Sequence, residues 1–266
     1  MERILRSGDL ELAGHLSRPR TAAGTAVPGL VIAHGFPHLR QGGRLSAKSF
    51  PELADRIATE MGWMVLVFNF RGAGDSEGDF SLEGWRQDLL AAAAHLRGVE
   101  DVHGVWVAGF GTGGSLAISA TTTDPEIRGV AAIAAPADFD DWSHHPRRLL
   151  QHARDTGIIG ASSFPPNFEE WARGIRTVSA LAAVRSMAPR PLLLIHGSDD
   201  DVVPVFDARV LADAHGRADL RVIEGGGHQL RHDPRAVAML LGWLDRQRAA
   251  ASARAFSTSS TPDLGS

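Results

Sequence analysis

Apolar runs alternate with helical stretches along most of the chain. The strand-like runs are Leu30–His34, Trp63–Phe68, Val105–Ala108, Gly129–Ala134, Pro191–His196 and Leu220–Ile223. Between them, apolar residues recur with helical spacing, as in residues 50–61 and 85–96. Unbroken apolar runs are typical of parallel strands that are buried on both faces of a sheet. The pattern therefore predicts an α/β fold with a mostly parallel sheet flanked by helices.

Three segments depart from this alternation. Residues 2–18 predict two strands with a turn at Ser7-Gly8-Asp9. Residues 138–187 contain helical pieces but no clear strand, and we interpret this insertion as a short helical cap over the carboxyl edge of the sheet. Residues 249–266 are small, polar and aperiodic, which predicts a disordered tail. The remainder, residues 1–248, is predicted to form one domain.

A glycine-rich stretch, VWVAGFGTGGSLAISA at residues 105–120, fits two different motifs. Gly109, Gly111 and Gly114 fit G-x-G-x-x-G, the dinucleotide-binding fingerprint. The same stretch fits the frame of G-x-S-x-G, the nucleophile elbow of certain hydrolases, with Gly111 where that motif has serine. The stretch alone does not decide between the two motifs.

Polar or glycine-rich loops follow the predicted strands, where ligands bind in open α/β sheets. These loops are His34–Pro37, Arg71–Gly78, the glycine-rich stretch, His196–Pro204 and Gly225–His228. Their residues and order resemble the α/β-hydrolase family of serine esterases and acyl-peptide-type peptidases. The resemblance covers roughly residues 29–245, and it rests on several motifs in the same order along the chain.

The resemblance implies a role for each matching residue. His228 would be the general base, Asp200 the acid that orients it, and Gly111 would occupy a nucleophile position without a hydroxyl. Asp199 and Asp201 remain alternatives for the acid, because the three aspartates are consecutive. The backbone N–H groups of Phe36 and Thr112 would form the oxyanion hole, and the predicted substrate contacts are His34, Gly35 and Trp142.

The dinucleotide interpretation lacks its structural context. That motif belongs in the first βαβ unit, with an acidic residue closing the next strand. Here the glycines follow the third strand of the parallel series, and the next strand ends in Ala135-Pro136-Ala137. We therefore predict neither a dinucleotide nor any other cofactor.

The α/β-hydrolase interpretation also explains why a glycine can occupy position 111. A nucleophile elbow holds its central residue in a strained backbone conformation, which glycine adopts at little cost. Glycine therefore preserves the turn while removing the hydroxyl. Ser115 is the nearest serine, one helical turn further on, and we interpret it as a small packed residue of the helix.

Composition narrows the remaining classes of function. The chain has no cysteine, which excludes a thiolate nucleophile, and its formal charge of −4 does not favour a nucleic-acid partner. His144 and His145 lack a carboxylate at ligand spacing, so no metal site is predicted. There is no apolar run of membrane-spanning length and no signal-peptide pattern, and we therefore expect a cytoplasmic protein that contacts no membrane. The sequence does not predict an oligomeric state.

Three functions remain compatible with these residues. The first is hydrolysis of a small ester, amide or apolar carbonyl compound, with His228 and Asp200 activating water directly. The second is a cofactor-free, lyase-type reaction that uses the same pair of side chains. The third is a pseudoenzyme that binds a small apolar ligand without turnover, because fold alone does not determine function.

Overall fold

The computed structural model describes residues 2–22, 24–40, 42–45 and 50–259. Within these ranges, eight strands form one sheet in the order β1-β2-β4-β3-β5-β6-β7-β8. The strands are β1 (Glu2–Ser7), β2 (Leu10–Ser17), β3 (Val27–Ala33), β4 (Met64–Phe68), β5 (Val102–Phe110), β6 (Ile127–Ile133), β7 (Leu192–Gly197) and β8 (Asp219–Ile223).

The sheet is mostly parallel, which confirms the fold class predicted from the apolar runs. Strands β3 to β8 run parallel to their neighbours, whereas β1 and β2 pair antiparallel and β2 joins the sheet antiparallel to β4. All seven residues of β3 are buried, as expected for a central strand covered on both faces. Leu30 packs in the apolar cluster on one face, and Val31 packs in the cluster on the other face.

Helices cover both faces of this sheet. They are α1 (Phe50–Met61), α2 (Leu82–Arg97), α3 (Thr112–Ala120), α4 (Asp140–His144), α5 (Pro146–Asp155), α6 (Phe168–Ile175), α7 (Ala180–Met187), α8 (Val205–His215) and α9 (Pro234–Ser259). Short 3-10 helices occupy Gly42–Leu45 and Leu230–His232. Buried residues of α1 and α9 pack with Leu30, whereas those of α2, α3, α7 and α8 pack with Val31. Within the described ranges, no helix has both the length and the apolar character needed to cross a bilayer.

Helix α9 corrects the expectation of a disordered tail starting at residue 249. The helix continues to Ser259, so residues 249–259 are helical. Five of these eleven residues are alanines and one is Arg254, and alanine and arginine are both strong helix formers. Extending an existing helix also avoids the cost of nucleating a new one. The rest of the expected tail, residues 260–266, lies outside the described residues.

The cap predicted for residues 138–187 extends too far along the chain, because its last helix does not belong to it. Helix α7 packs against α3 and α8 and belongs to a sheet-covering layer. Helices α4 and α5 instead bring Trp142 and His152 over the loop that contains Phe36, with 5.0 Å between the ring centroids of Phe36 and Trp142. Helix α6 is attached to the loop before α2 by Trp171, whose indole Nε1–H donates to the Phe80 carbonyl.

Candidate active site

A sharp turn connects β5 to α3 and places Gly111 at the carboxyl edge of the sheet. Gly111 has φ 52° and ψ −125°, and its N–H donates to the Ile133 carbonyl of the neighbouring strand at 2.8 Å. A Cβ on Gly109 would overlap the Gly113 backbone, and a Cβ on Gly113 would overlap the His34 carbonyl. The flanking glycines of the motif therefore allow the tight turn, and the positive φ of Gly111 itself favours glycine.

Asp200 lies in the loop that follows β7, and its carboxylate contacts two histidines and two backbone N–H groups. His228 Nδ1 is 2.9 Å from Oδ2. His196 Nε2, whose N–H donates to the Val203 carbonyl at 2.9 Å, lies 3.2 Å from the same oxygen. The backbone N–H groups of Val202 and Val203 donate to Oδ1. Burial alone would raise the pKa of Asp200, but these hydrogen bonds outweigh it and hold the pKa well below its usual value. The side chain therefore stays ionised although it is fully buried.

The hydrogen bond to Asp200 determines which nitrogen of His228 faces the site. Nδ1–H donates to the carboxylate, so the neutral ring presents Nε2 as a proton acceptor. A Cβ built on Gly111 would lie 3.6 Å from Nε2. Asp199 and Asp201, the alternatives for the acid, are exposed, and Asp199 instead accepts a hydrogen bond from Ser198. Asp200 therefore contacts His228, and Nε2 of His228 lies close to Gly111.

Two backbone N–H groups lie beside Gly111. Thr112 is the first residue of α3, where helix N–H groups have no partner within the helix, and Phe36 follows β3. Both residues line the cavity that contains Gly111. Among the described residues, neither N–H has an acceptor within hydrogen-bond distance. Gly35 lets this loop approach the turn, because a Cβ there would lie 2.9 Å from the Phe110 carbonyl oxygen.

His34 is not placed as the sequence predicts. We expected it to contact substrate, but it is 1% exposed and lines neither of the cavities that reach Gly111. Its Nδ1–H donates to the Gly35 carbonyl at 2.8 Å, and its Nε2 accepts from the Phe70 N–H at 3.2 Å. His34 therefore connects the loops after β3 and β4, and both of its nitrogens are used inside the protein.

Two cavities meet at Gly111. The first has a volume of about 320 Å³, lies under α4 and α5, and has Trp142 in its wall. The second, of about 240 Å³, extends between the Gly35 loop and the 3-10 helix at Leu230–His232. His38 and His228 line both cavities, with 5.2 Å between their ring centroids.

Sequence reasoning missed His38 and Arg231 as parts of the site. Arg231 lines the second cavity. Both residues lie within a few positions of a motif residue, His38 after Phe36 and Arg231 after His228, and that proximity was the available signal.

Ser115, the serine nearest to Gly111 along the chain, has its hydroxyl engaged inside the protein. Ser115 is fully buried and its hydroxyl donates to the Pro136 carbonyl, so it packs within the protein as the sequence suggested. In the part of the chain that the structure describes, no three histidine, aspartate or glutamate side chains are grouped as metal ligands would be.

The family model for the prolyl oligopeptidase family of peptidases matches residues 50–250, more than half of the chain. The chain belongs to this family. The match covers the turn at Gly111 and the loops of Asp200 and His228, and the family therefore supports the α/β-hydrolase resemblance. It does not extend to the Phe36 loop, which precedes residue 50.

Known members of the wider fold include esterases and other hydrolases. A pimeloyl-[acyl-carrier protein] methyl ester esterase from Xanthomonas campestris is 27% identical over 76% of this chain and 88% of its own length. The 2-hydroxymuconate semialdehyde hydrolase of a Pseudomonas species is 36% identical over 34% of this chain, and the chain spans only 32% of that enzyme. Est1E from Butyrivibrio proteoclasticus, solved with ferulic acid, superposes with a TM-score of 0.71 at 18% identity, covering 92% of this chain and 98% of Est1E.

Proposed function

We propose that this protein hydrolyses a small ester or amide, with a water molecule in place of the serine nucleophile. The observation that carries the proposal is the position of His228 Nε2, which faces the hydroxyl-free Gly111 while Nδ1 is held by Asp200. The similar Xanthomonas enzyme is by its name a methyl ester esterase, and the matched family is named for peptidases. Both names favour hydrolysis of an ester or amide.

The reaction needs only one proton carrier. His228 Nε2 accepts a proton from water as the water oxygen attacks the substrate carbonyl. The N–H groups of Phe36 and Thr112 donate to the oxyanion that forms, and Asp200 stabilises the imidazolium. When the intermediate collapses, the bond to the leaving group breaks and the imidazolium returns the proton to the departing oxygen or nitrogen. The products are a carboxylic acid and an alcohol or amine.

Replacement of the base tests the proposal directly. We expect the wild-type protein to hydrolyse short-chain nitrophenyl esters without an initial burst, because no acyl-enzyme accumulates. His228→Gln should lower kcat/KM by about 100-fold or more, which is the usual contribution of a general base. Ser115→Ala is the matched control, since the Ser115 hydroxyl donates to Pro136 and faces no substrate, and its activity should stay at the wild-type level.

Two outcomes would overturn the proposal. Equal activity in the wild-type protein and His228→Gln would mean that His228 is not the base. Saturable binding of ester analogues with no turnover would instead support a pseudoenzyme that uses the same cavities.

A further inference from the structure

The two cavities beside Gly111 differ in charge. Four aspartates line the first cavity, Asp138, Asp140, Asp141 and Asp207, and of these Asp141 is paired with Arg148 and His145. Among the described residues, no carboxylate lines the second cavity, whose polar side chains are those of two histidines, Gln229 and Arg231. The second cavity therefore carries a cation where the first carries acidic groups.

Arg231 has no acidic partner in the part of the chain that the structure describes. Its Nε donates to His232 Nε2, and no carboxylate among the described residues lies within ion-pair distance of the guanidinium. Arg235, four residues further along and at the start of α9, differs in this respect, because it pairs with Asp233 at 2.7 Å. Partial burial lowers the pKa of Arg231, but an arginine remains charged in proteins.

Arg231 lines the second cavity, and its charge acts on two nearby histidines. Burial chiefly, with a smaller contribution from Arg231, lowers the pKa of His34 to about 4. The pKa of His38, which lines both cavities, is lowered by burial, by His228 and His152, and by Arg231, against an opposing effect of Asp200. A cation without a partner in a cavity wall provides a place for an anionic group.

We propose that Arg231 binds a carboxylate of the substrate in the second cavity while the reacting carbonyl lies at Gly111. This inference rests on the proposed function, because it assumes a carbonyl substrate. A carboxylate matches the planar pair of N–H groups that one guanidinium presents. The preferred substrate is therefore a half-ester or amide of a short dicarboxylic acid.

The test uses two ligands that no hydrolase can cleave, levulinate and methyl propyl ketone. They share a ketone and a chain of the same length and differ in the terminal carboxylate. We expect the wild-type protein to bind levulinate about 10-fold more tightly in equilibrium calorimetry, consistent with a charged hydrogen bond. Arg231→Gln should abolish this preference without changing the affinity for the neutral ketone, and Arg231→Lys should retain part of it.

Arg235→Gln is the matched control. It removes the same charge from the same segment but from a residue that lines neither cavity, so the preference should stay at the wild-type value. Equal affinity of the wild-type protein for both ligands, or a preference that survives Arg231→Gln, would overturn the proposal. Inorganic phosphate that competes as strongly as levulinate would overturn the assignment to a carboxylate.

This result is separable from the outcome for catalysis. Selective binding of levulinate without hydrolysis of any ester would support the Arg231 site and reject the proposed reaction. Hydrolysis of neutral esters with no preference for levulinate would reject the Arg231 site and retain the reaction.

Discussion

At the scale of single residues, Gly111 combines an unusual backbone conformation with open space in front of it. Its φ of 52° lies in the region that glycine adopts freely and other residues adopt at a cost. The space in front of it is open, since the nearest atom to an added Cβ is His228 Nε2 at 3.6 Å, an ordinary contact. A side chain at this position is therefore opposed by backbone strain and not by collision.

Gly111→Ser tests both properties at once. We expect the free energy of unfolding to fall by about 1–3 kcal/mol, the usual cost of a strained backbone. The new hydroxyl would face His228 Nε2, so we also expect labelling by a fluorophosphonate probe, which the wild-type protein should not show. Chemical denaturation measures the first effect, and mass spectrometry of the labelled peptide measures the second.

Gly111→Ala is the control for this substitution, because it introduces the same strain without a hydroxyl. It should lose similar stability and gain no labelling. Unchanged stability in both variants would contradict the strain assigned to this turn. Labelling of the wild-type protein at Ser115 would contradict the absence of a serine nucleophile.

At the scale of elements, the active-site loops depend on close backbone packing. Gly197 ends β7, and a Cβ there would overlap the carbonyl of Gly226 in the loop that carries His228. The loop of Asp200 begins at this same residue. The two loops are therefore held together at a point where no side chain fits.

Gly197→Ala should consequently separate Asp200 from His228. We expect a loss of stability of about 1–3 kcal/mol, as for other overpacked positions, together with a loss of any activity that depends on the pair. Gly227→Ala is the matched control in the neighbouring loop, because nothing lies within 4 Å of its added Cβ and its φ is not positive. If both variants unfold at the same Tm, the close contact at Gly197 does not limit the size of the residue there.

Elements were predictable from the sequence where a local pattern decided them. The central strands follow from apolar runs, whereas the turn at Gly111 also needed the order of the other motifs, because its glycines fit two motifs. Helix α7 was assigned to the cap because its sequence is equally compatible with either layer. Its contacts with α3 and α8 show that it covers the sheet. The helical extent of α9 was missed because small residues suggested disorder, although alanine also favours helix.

At the scale of the whole molecule, the sheet brings residues from distant parts of the chain to one edge. The order of the motifs was sufficient to predict that Asp200, His228 and Gly111 lie together, because parallel strands end at the same edge. The order did not reveal that His34 points into the protein while His38 lines the cavities. Side-chain direction at a strand end depends on the path of the following loop, which no periodic pattern specifies.

The buried His34 should make the stability of the whole molecule depend on pH. Burial lowers its pKa from 6.5 to about 4, so between these values the unfolded chain binds a proton that the folded protein does not. The free energy of unfolding is therefore highest above pH 6.5 and falls by on the order of 3 kcal/mol as the pH drops toward 4.

His34→Gln removes the titrating group. The free energy of unfolding, measured with urea, should then decline less steeply over this pH range. His144→Gln, at an exposed residue of α4, is the control and should keep the wild-type slope. Equal slopes for His34→Gln and the wild-type protein would show that His34 does not remain neutral in the fold.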